Sequence, residues 1–341
     1  MSQTYAPVAR ADDIALYWPD GREMPAMIRS VADYMAKQEW LSIGATRMIG
    51  DRMDDHWIEN GADLWTDFGC FMRLPEGSRV AQWFRDGETG EPPVVLIGSE
   101  GQMVVLANDL QSFLAAWALG EFDDAGNLVA KCATGSIEIA LPSELVRDED
   151  DEAEGIPNGR PAFAKFLQSL LGRHPCEALK PKPDDALLQS FFQAWGETQR
   201  AEIASNPNLR KIAAVLDAFV PRGKNPWEHA DFRIAAIGDR IEIGGKGNPK
   251  NPLEAGLADQ IRPLISAERE RRAAGVNSFR GLWYVGHLML MPDGVCQLAA
   301  DWESEPKFFH GPPPTAAELA GEFKRFPKSE RWMREWMGDL R

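Results

Sequence analysis

Residues 92–122, PPVVLIGSEGQMVVLANDLQSFLAAWALGEF, decide how the rest of the chain is read. Residues 94–97 and 103–106 are short β-branched and apolar runs on either side of Gly98-Ser99-Glu100-Gly101, the composition of a hairpin between two largely buried strands. A helix should follow at once. Asn108 is placed to cap it, Gln111 stands three residues on as in a capping box, and Leu110, Phe113, Leu114 and Trp117 recur at i, i+3, i+4 and i+7 before Gly120 ends it. This stretch reads as core and carries no chemistry.

Working outward, residues 68–74 and 79–84 around Pro75-Glu76-Gly77-Ser78 form a second hairpin. Upstream of it, Met27, Ile28, Val31, Tyr34 and Met35 share one face of a helix with Pro25 in its first turn, and a short helix is expected at 54–59. Downstream, Ile137, Ile139 and Leu141 alternate as a strand over 136–141. Residues 1–146 therefore read as an antiparallel sheet with helices on one face. The acidic run at 147–154 leads into Gly155-Ile156-Pro157-Asn158-Gly159, and since like charges so close repel, 147–160 is the expected linker.

Beyond it, residues 161–341 read as a helical segment and a second domain of the same kind. One-sided helices are expected at 161–171, at 185–195 after Asp184, and at 207–219 capped by Asn206; helices this short must pack to persist. Strands at 232–236 and 241–243 flank Gly238-Asp239, and 244–252 reads as a loop. A helix over 253–272 should be kinked or split by Pro263. A hairpin at 279–291 and 295–302 and helices at 315–326 and 329–337 close the chain. The expected fold class is α+β, two α/β-mixed domains, each a mainly antiparallel sheet with helices on one face.

A chain of 341 residues suits two domains, with a third if the middle folds separately, and its net charge of -15 argues against nucleic-acid binding, which needs clustered Lys and Arg. An acidic surface suits a basic partner. No apolar run is long enough to span a membrane, and residues 1–10 lack the pattern of a secretory signal, so a cytoplasmic location is expected. Cys70, Cys132, Cys176 and Cys296 lie far apart with no CxxC pair, so free buried thiols are expected, without a disulfide framework or zinc site.

Chemistry is thin. No GxSxG elbow is present, and Ser99 sits in a turn. His56, His174, His229, His287 and His310 are dispersed, without metal-ligand spacing. Glu228-His229 with Asp231 is the nearest thing to a cluster, although a histidine at a strand entrance is usually just hydrogen-bonded. Gly244-Gly245-Lys246-Gly247-Asn248 has phosphate-loop composition without the motif or a following helix. Trp283, Trp302, Trp332 and Trp336 suit a ligand shelf, but at these spacings core or interface is the stronger reading.

Val94-Val95-Leu96-Ile97, Val104-Val105-Leu106-Ala107-Asn108-Asp109-Leu110, Phe113-Leu114 and Gly120, with Asn60-Gly61 further back, resemble the closing half of the SUKH superfamily over residues 20–145. That is the fold of many bacterial immunity proteins and of a yeast cell-wall regulator. The Leu-Pro-x-x-Tyr helix start usual in the family has no counterpart here. At the C-terminus, residues 288–294 and then Glu322-Phe323-Lys324-Arg325-Phe326-Pro327-Lys328-Ser329-Glu330 through Trp332 to Trp336 are similar to the end of YezG-like immunity proteins. These resemblances imply stoichiometric binding of a toxin, with no catalytic residue, cofactor or metal. The expected partner is a basic protein of the nuclease-toxin kind, steered by Asp148, Glu149, Asp150, Asp151, Glu152 and Glu154. A regulatory or scaffold module is the alternative, and an enzyme the third.

Overall fold

The computed structural model describes residues 11–19, 21–37, 47–48, 64, 66–85, 90–98, 102–139, 141–146, 158–181, 184–219, 230–245, 248–274, 280–291, 293–329 and 332–338. The protein is α+β, with antiparallel sheets throughout. It divides into two compact units, and among the described residues the division falls between Gln193 and Ala194. The expected linker at 147–160 is thus not where the chain divides. Residues 147–157 lie outside the described residues, and the helix after them, α4 (Arg160–Leu171), puts Phe163 and Leu167 into the first unit's core.

In the first unit β1 (Arg47–Met48), β2 (Phe68–Arg73), β3 (Arg79–Trp83), β4 (Val94–Ile97) and β5 (Met103–Ala107) form one sheet in chain order. Alternation along these strands sends Met72, Val80, Leu96 and Val104 to one face, where they meet α1 (Ala11–Leu16), α2 (Ala26–Met35), α3 (Leu110–Leu119) and α4. Trp117 is the largest fully buried side chain there, its ring edge-on to Phe163 at 4.7 Å. The cross-strand pair Phe68 and Trp83 lies on the opposite face and is covered by Phe191 and Phe192 of α5 (Ala186–Ser205).

The cap of α3 differs from the expectation by one residue. Asp109 Oδ1 accepts the Ser112 N–H at 2.7 Å, while the Asn108 amide donates to the Pro181 carbonyl at 3.1 Å. At the other end Gly120 is required by close approach, since a Cβ there would sit 2.7 Å from Ile139 Cδ1 and 2.8 Å from the Ala116 carbonyl. The buried Arg160 guanidinium closes that end, donating to the Trp117 and Val146 carbonyls at 2.7 Å each. Burial, against the opposing pull of Glu121, lowers its pKa to about 10.

Where one strand was expected near 136–141, three form a small sheet: β6 (Gly120–Phe122), β7 (Leu128–Cys132) and β8 (Gly135–Glu138). The last residue of β7 carries a correction to the cysteine expectation. Cys132 is disulfide-bonded to Cys176 in the 3-10 turn Pro175–Ala178, with Cα atoms 5.9 Å apart, while Cys70 and Cys296 are buried thiols outside any disulfide. Burial pushes the Cys296 thiol up to about 12, so it stays protonated and inert.

The second unit holds the sheet β11 (Asn248–Pro252), β10 (Arg240–Gly245), β9 (Ala230–Ile237), β12 (Val285–Leu290) and β13 (Cys296–Asp301), in that spatial order. Helices α6 (Pro207–Phe219) and α7 (Ala255–Ala273) cover one face, packing Leu209, Ile212, Leu216, Leu257, Ile261 and Ile265 on Phe232, Ile234 and Leu288. Helix α8 (Ala316–Arg325) opens with the capping box Thr315–Glu318. Three expectations change here. Residues 248–252 pair with β10 and are no loop; α7 runs through Pro263, whose ring is exposed to solvent; and of the expected helix at 329–337 the described residues show a 3-10 turn at Glu335–Met337.

Glu268, fully buried on α7, ties that helix to the start of α6. Its carboxylate accepts the Asn206 amide at 3.0 and 3.1 Å, Arg271 through two 2.9 Å bonds, and Arg272 at 3.1 Å, while Asn206 Oδ1 caps α6. Burial alone would raise its pKa. The bonds and charges of Arg271, Arg272 and Asn206 outweigh it and hold the carboxyl at about 2. A depressed carboxyl stabilises the fold above its unfolded value of 4.5, and that contribution fades as the pH falls toward 2, by about 3 kcal/mol in all. Glu268→Gln should therefore flatten the acid limb of the second unit's unfolding free energy. An unchanged acid limb, measured by urea titration across that window, would show that the network does not act in this way.

Candidate functional site

β5 is the outermost strand of the first sheet, so the strand register decides which of its backbone groups are unpaired. Gly98 N–H donates to the Gln102 carbonyl at 2.6 Å, and Leu96 stands opposite Val104, so Gln102 and Val104 turn their polar groups toward β4. Met103 and Val105 turn theirs outward. The Val105 N–H is taken by Asp185 Oδ1 at 2.6 Å, which closes one end of the edge. Beside the other end lies an open groove of about 500 Å³, walled by Gln102, Met103 and Val104 of the hairpin and by Gln189 and Phe192 of α5. Phe192 is braced from behind, stacking on Phe68 at 5.6 Å and meeting Phe191 edge-on at 5.4 Å.

The segment before α5 holds this geometry. Lys180 pairs with the buried Asp109 carboxylate and its N–H donates to Ser112 Oγ at 3.0 Å, Asn108 holds the Pro181 carbonyl, and Cys176 is bonded to β7. The Lys180 ammonium is raised by its hydrogen bond to Asp109 and by the charge there. Arg173 adds a 2.8 Å bond to Gln111 on α3. Residues 173–181 and Asp185 are therefore pinned to α3, to β7 and to the far half of β5, and among the described residues the groove beside Met103 is the open part of the edge.

Charge is divided unequally along the chain. Residues 1–193 contain 16 Lys and Arg against 32 Asp and Glu, whereas residues 194–341 contain 21 against 20. The acidic surplus belongs to the first 193 residues, and the remainder is close to neutral.

The residues singled out from sequence fall as follows. Asp148, Glu149, Asp150, Asp151, Glu152 and Glu154 lie outside the described residues, as do Ser99, Glu228, His229, Lys246 and Gly247. Asp231 is exposed on β9, opposite Met289. Trp283, Trp302 and Trp332 are core, and the Arg280 guanidinium lies 5.0 Å from the Trp302 ring and 4.6 Å from that of Trp332. His174 accepts the Cys176 N–H and so caps a turn. Among the described residues no group of three or more His, Cys, Asp or Glu is placed to hold a metal ion, and no helix is long and apolar enough to cross a membrane. Sequence reasoning missed Met103, Asp185, Gln189 and Phe192 as neighbours. No family model, curated protein or solved structure matches the chain.

Proposed function

We propose that the chain is a binding protein of the immunity type, whose acidic first unit docks on a basic partner of the nuclease-toxin kind and covers that partner's working surface. The observation that carries this is the charge division, 16 basic against 32 acidic residues in 1–193. Proteins that act on nucleic acid present Lys and Arg to phosphate, and an opposite potential raises encounter rates and rejects like-charged competitors. The SUKH-like and YezG-like sequence features support the same reading.

The experiment mixes the purified full chain with the basic protein encoded beside its gene. Stoichiometric loss of that protein's nuclease activity is expected, with an association rate that falls steeply as salt rises. Nuclease activity that survives a molar excess of the chain would sink the proposal. The same reading places the protein in the cytoplasm, although thiols there are normally kept reduced and the structure bonds Cys132 to Cys176. Alkylation at lysis followed by mass spectrometry tests that part: modified Cys132 and Cys176 agree with a cytoplasmic chain, and a protected pair places it in an oxidising compartment.

A further inference from the structure

We infer that the open part of the β5 edge is the docking site for an extended, basic segment of the protein partner, which adds to the sheet as a short sixth strand beside Met103. This rests on the protein-binding reading above and names the surface and the mode. The register leaves the Met103 N–H and C=O directed away from β4, a donor and an acceptor at strand spacing with no sheet neighbour among the described residues. An incoming strand can bond to both. It cannot extend along the whole edge, because Asp185 already holds the Val105 N–H.

Side-chain recognition follows from the groove walls. Phe192 offers an apolar surface that is fixed by Phe68 and Phe191, and Gln189 and Gln102 carry amides that can donate and accept. A strand alternates its side chains, so the incoming segment turns one residue onto Phe192 and its neighbours outward. Charge complementarity selects a basic segment: residues 1–193, which include this edge, carry the acidic surplus, and Asp184 and Asp185 stand where the groove closes. By contrast, in the second unit the outward Leu298 carbonyl of edge strand β13 is already bonded by Arg272 at 2.9 Å.

The test pans a random peptide library against the full chain and measures the selected peptides by fluorescence anisotropy. Basic sequences with alternating apolar residues are expected to be enriched. Met103→Pro removes the outward N–H without removing a bond to β4, and an edge position with its N–H facing solvent tolerates proline. It should weaken the selected peptides about tenfold. Gln189→Lys, at an exposed helix position, should weaken them by a similar factor through charge, and Ser136→Lys on β8 should not change binding. If Met103→Pro does not fold, Gln189→Lys and protection of the Met103 amide on peptide binding decide the matter. Enrichment of acidic peptides, an affinity indifferent to both groove variants, or no enrichment at all overturns the docking site. Toxin neutralisation that survives both groove variants overturns this site and leaves the proposed function standing; peptides bound in the groove without neutralisation do the reverse.

Discussion

Arg269→Met is expected to destabilise the second unit by about 4 kcal/mol, as the loss of one partner from a buried ion pair does. Arg269 and Glu322 are each about 1% exposed at the side chain and meet at 3.1 Å. The guanidinium also donates to the Trp283 carbonyl at 2.9 Å and the Gly238 carbonyl at 3.0 Å, and Glu322 accepts the Gly238 N–H at 2.6 Å. One pair thus joins α7, α8 and the β9–β10 turn, where Gly238 has a φ of +50°. Burial lowers the Arg269 pKa and the Glu322 charge raises it again, so the arginine is tolerated only because its partner is present. Methionine fills similar volume but leaves a buried carboxylate, the buried Trp283 carbonyl and the half-buried Gly238 carbonyl short of donors. The double variant Arg269→Met with Glu322→Leu removes the stranded charge and should recover much of the loss. Urea unfolding of the three variants checks both statements: a single variant within 1 kcal/mol of the parent, or a double variant worse than the single, would show that the pair does not act as described.

None of that pairing was legible in the chain. Arg269 and Glu322 are 53 residues apart and read locally as charges in two amphipathic helices. What was legible is what period alone determines. The hairpins at 68–84 and 94–107, the helix after them and the strand pairs of the second unit follow from alternation and turn residues. The misses have local causes. Residues 120–132 do not alternate, so β6 and β7 gave no signal; residues 196–205 hold Ile203 as their one large aliphatic side chain, so α5 was cut at Trp195. Asn108 and Asp109 are both good capping residues, and only the contact of Asn108 with Pro181 assigns the role to Asp109. The groove needed the strand order: that β5 is an edge, and that Asp185, 80 residues on, closes half of it, are properties of the sheet and not of any stretch.

The Cys132–Cys176 bond supplies the other large effect. It closes a loop across a sequence separation of 44, and restricting the unfolded chain over that length stabilises the first unit by about 4 kcal/mol. Spacing could not reveal it, because pairing depends on where β7 ends relative to the turn at Pro175–Ala178. Cys132→Ser, or reductant in the buffer, should lower the denaturant midpoint of the first unit and leave the second unit's transition in place. The loss should also have a direction within the unit. The strap, residues 173–181 and 184–185, depends on the disulfide at one end and on Lys180 with Asp109, Asn108 with Pro181 and Asp185 with Val105 along the rest, and single hydrogen bonds of this kind contribute only about 1 kcal/mol each. Hydrogen exchange should therefore quicken first at Lys180, whose N–H donates to Ser112 Oγ, and at Val105, whose N–H donates to Asp185 Oδ1, before α3 or the β2–β4 ladder responds. Equal exchange in both redox forms at those two amides would mean that the strap is held by its own contacts and that the disulfide acts only on the unfolded chain.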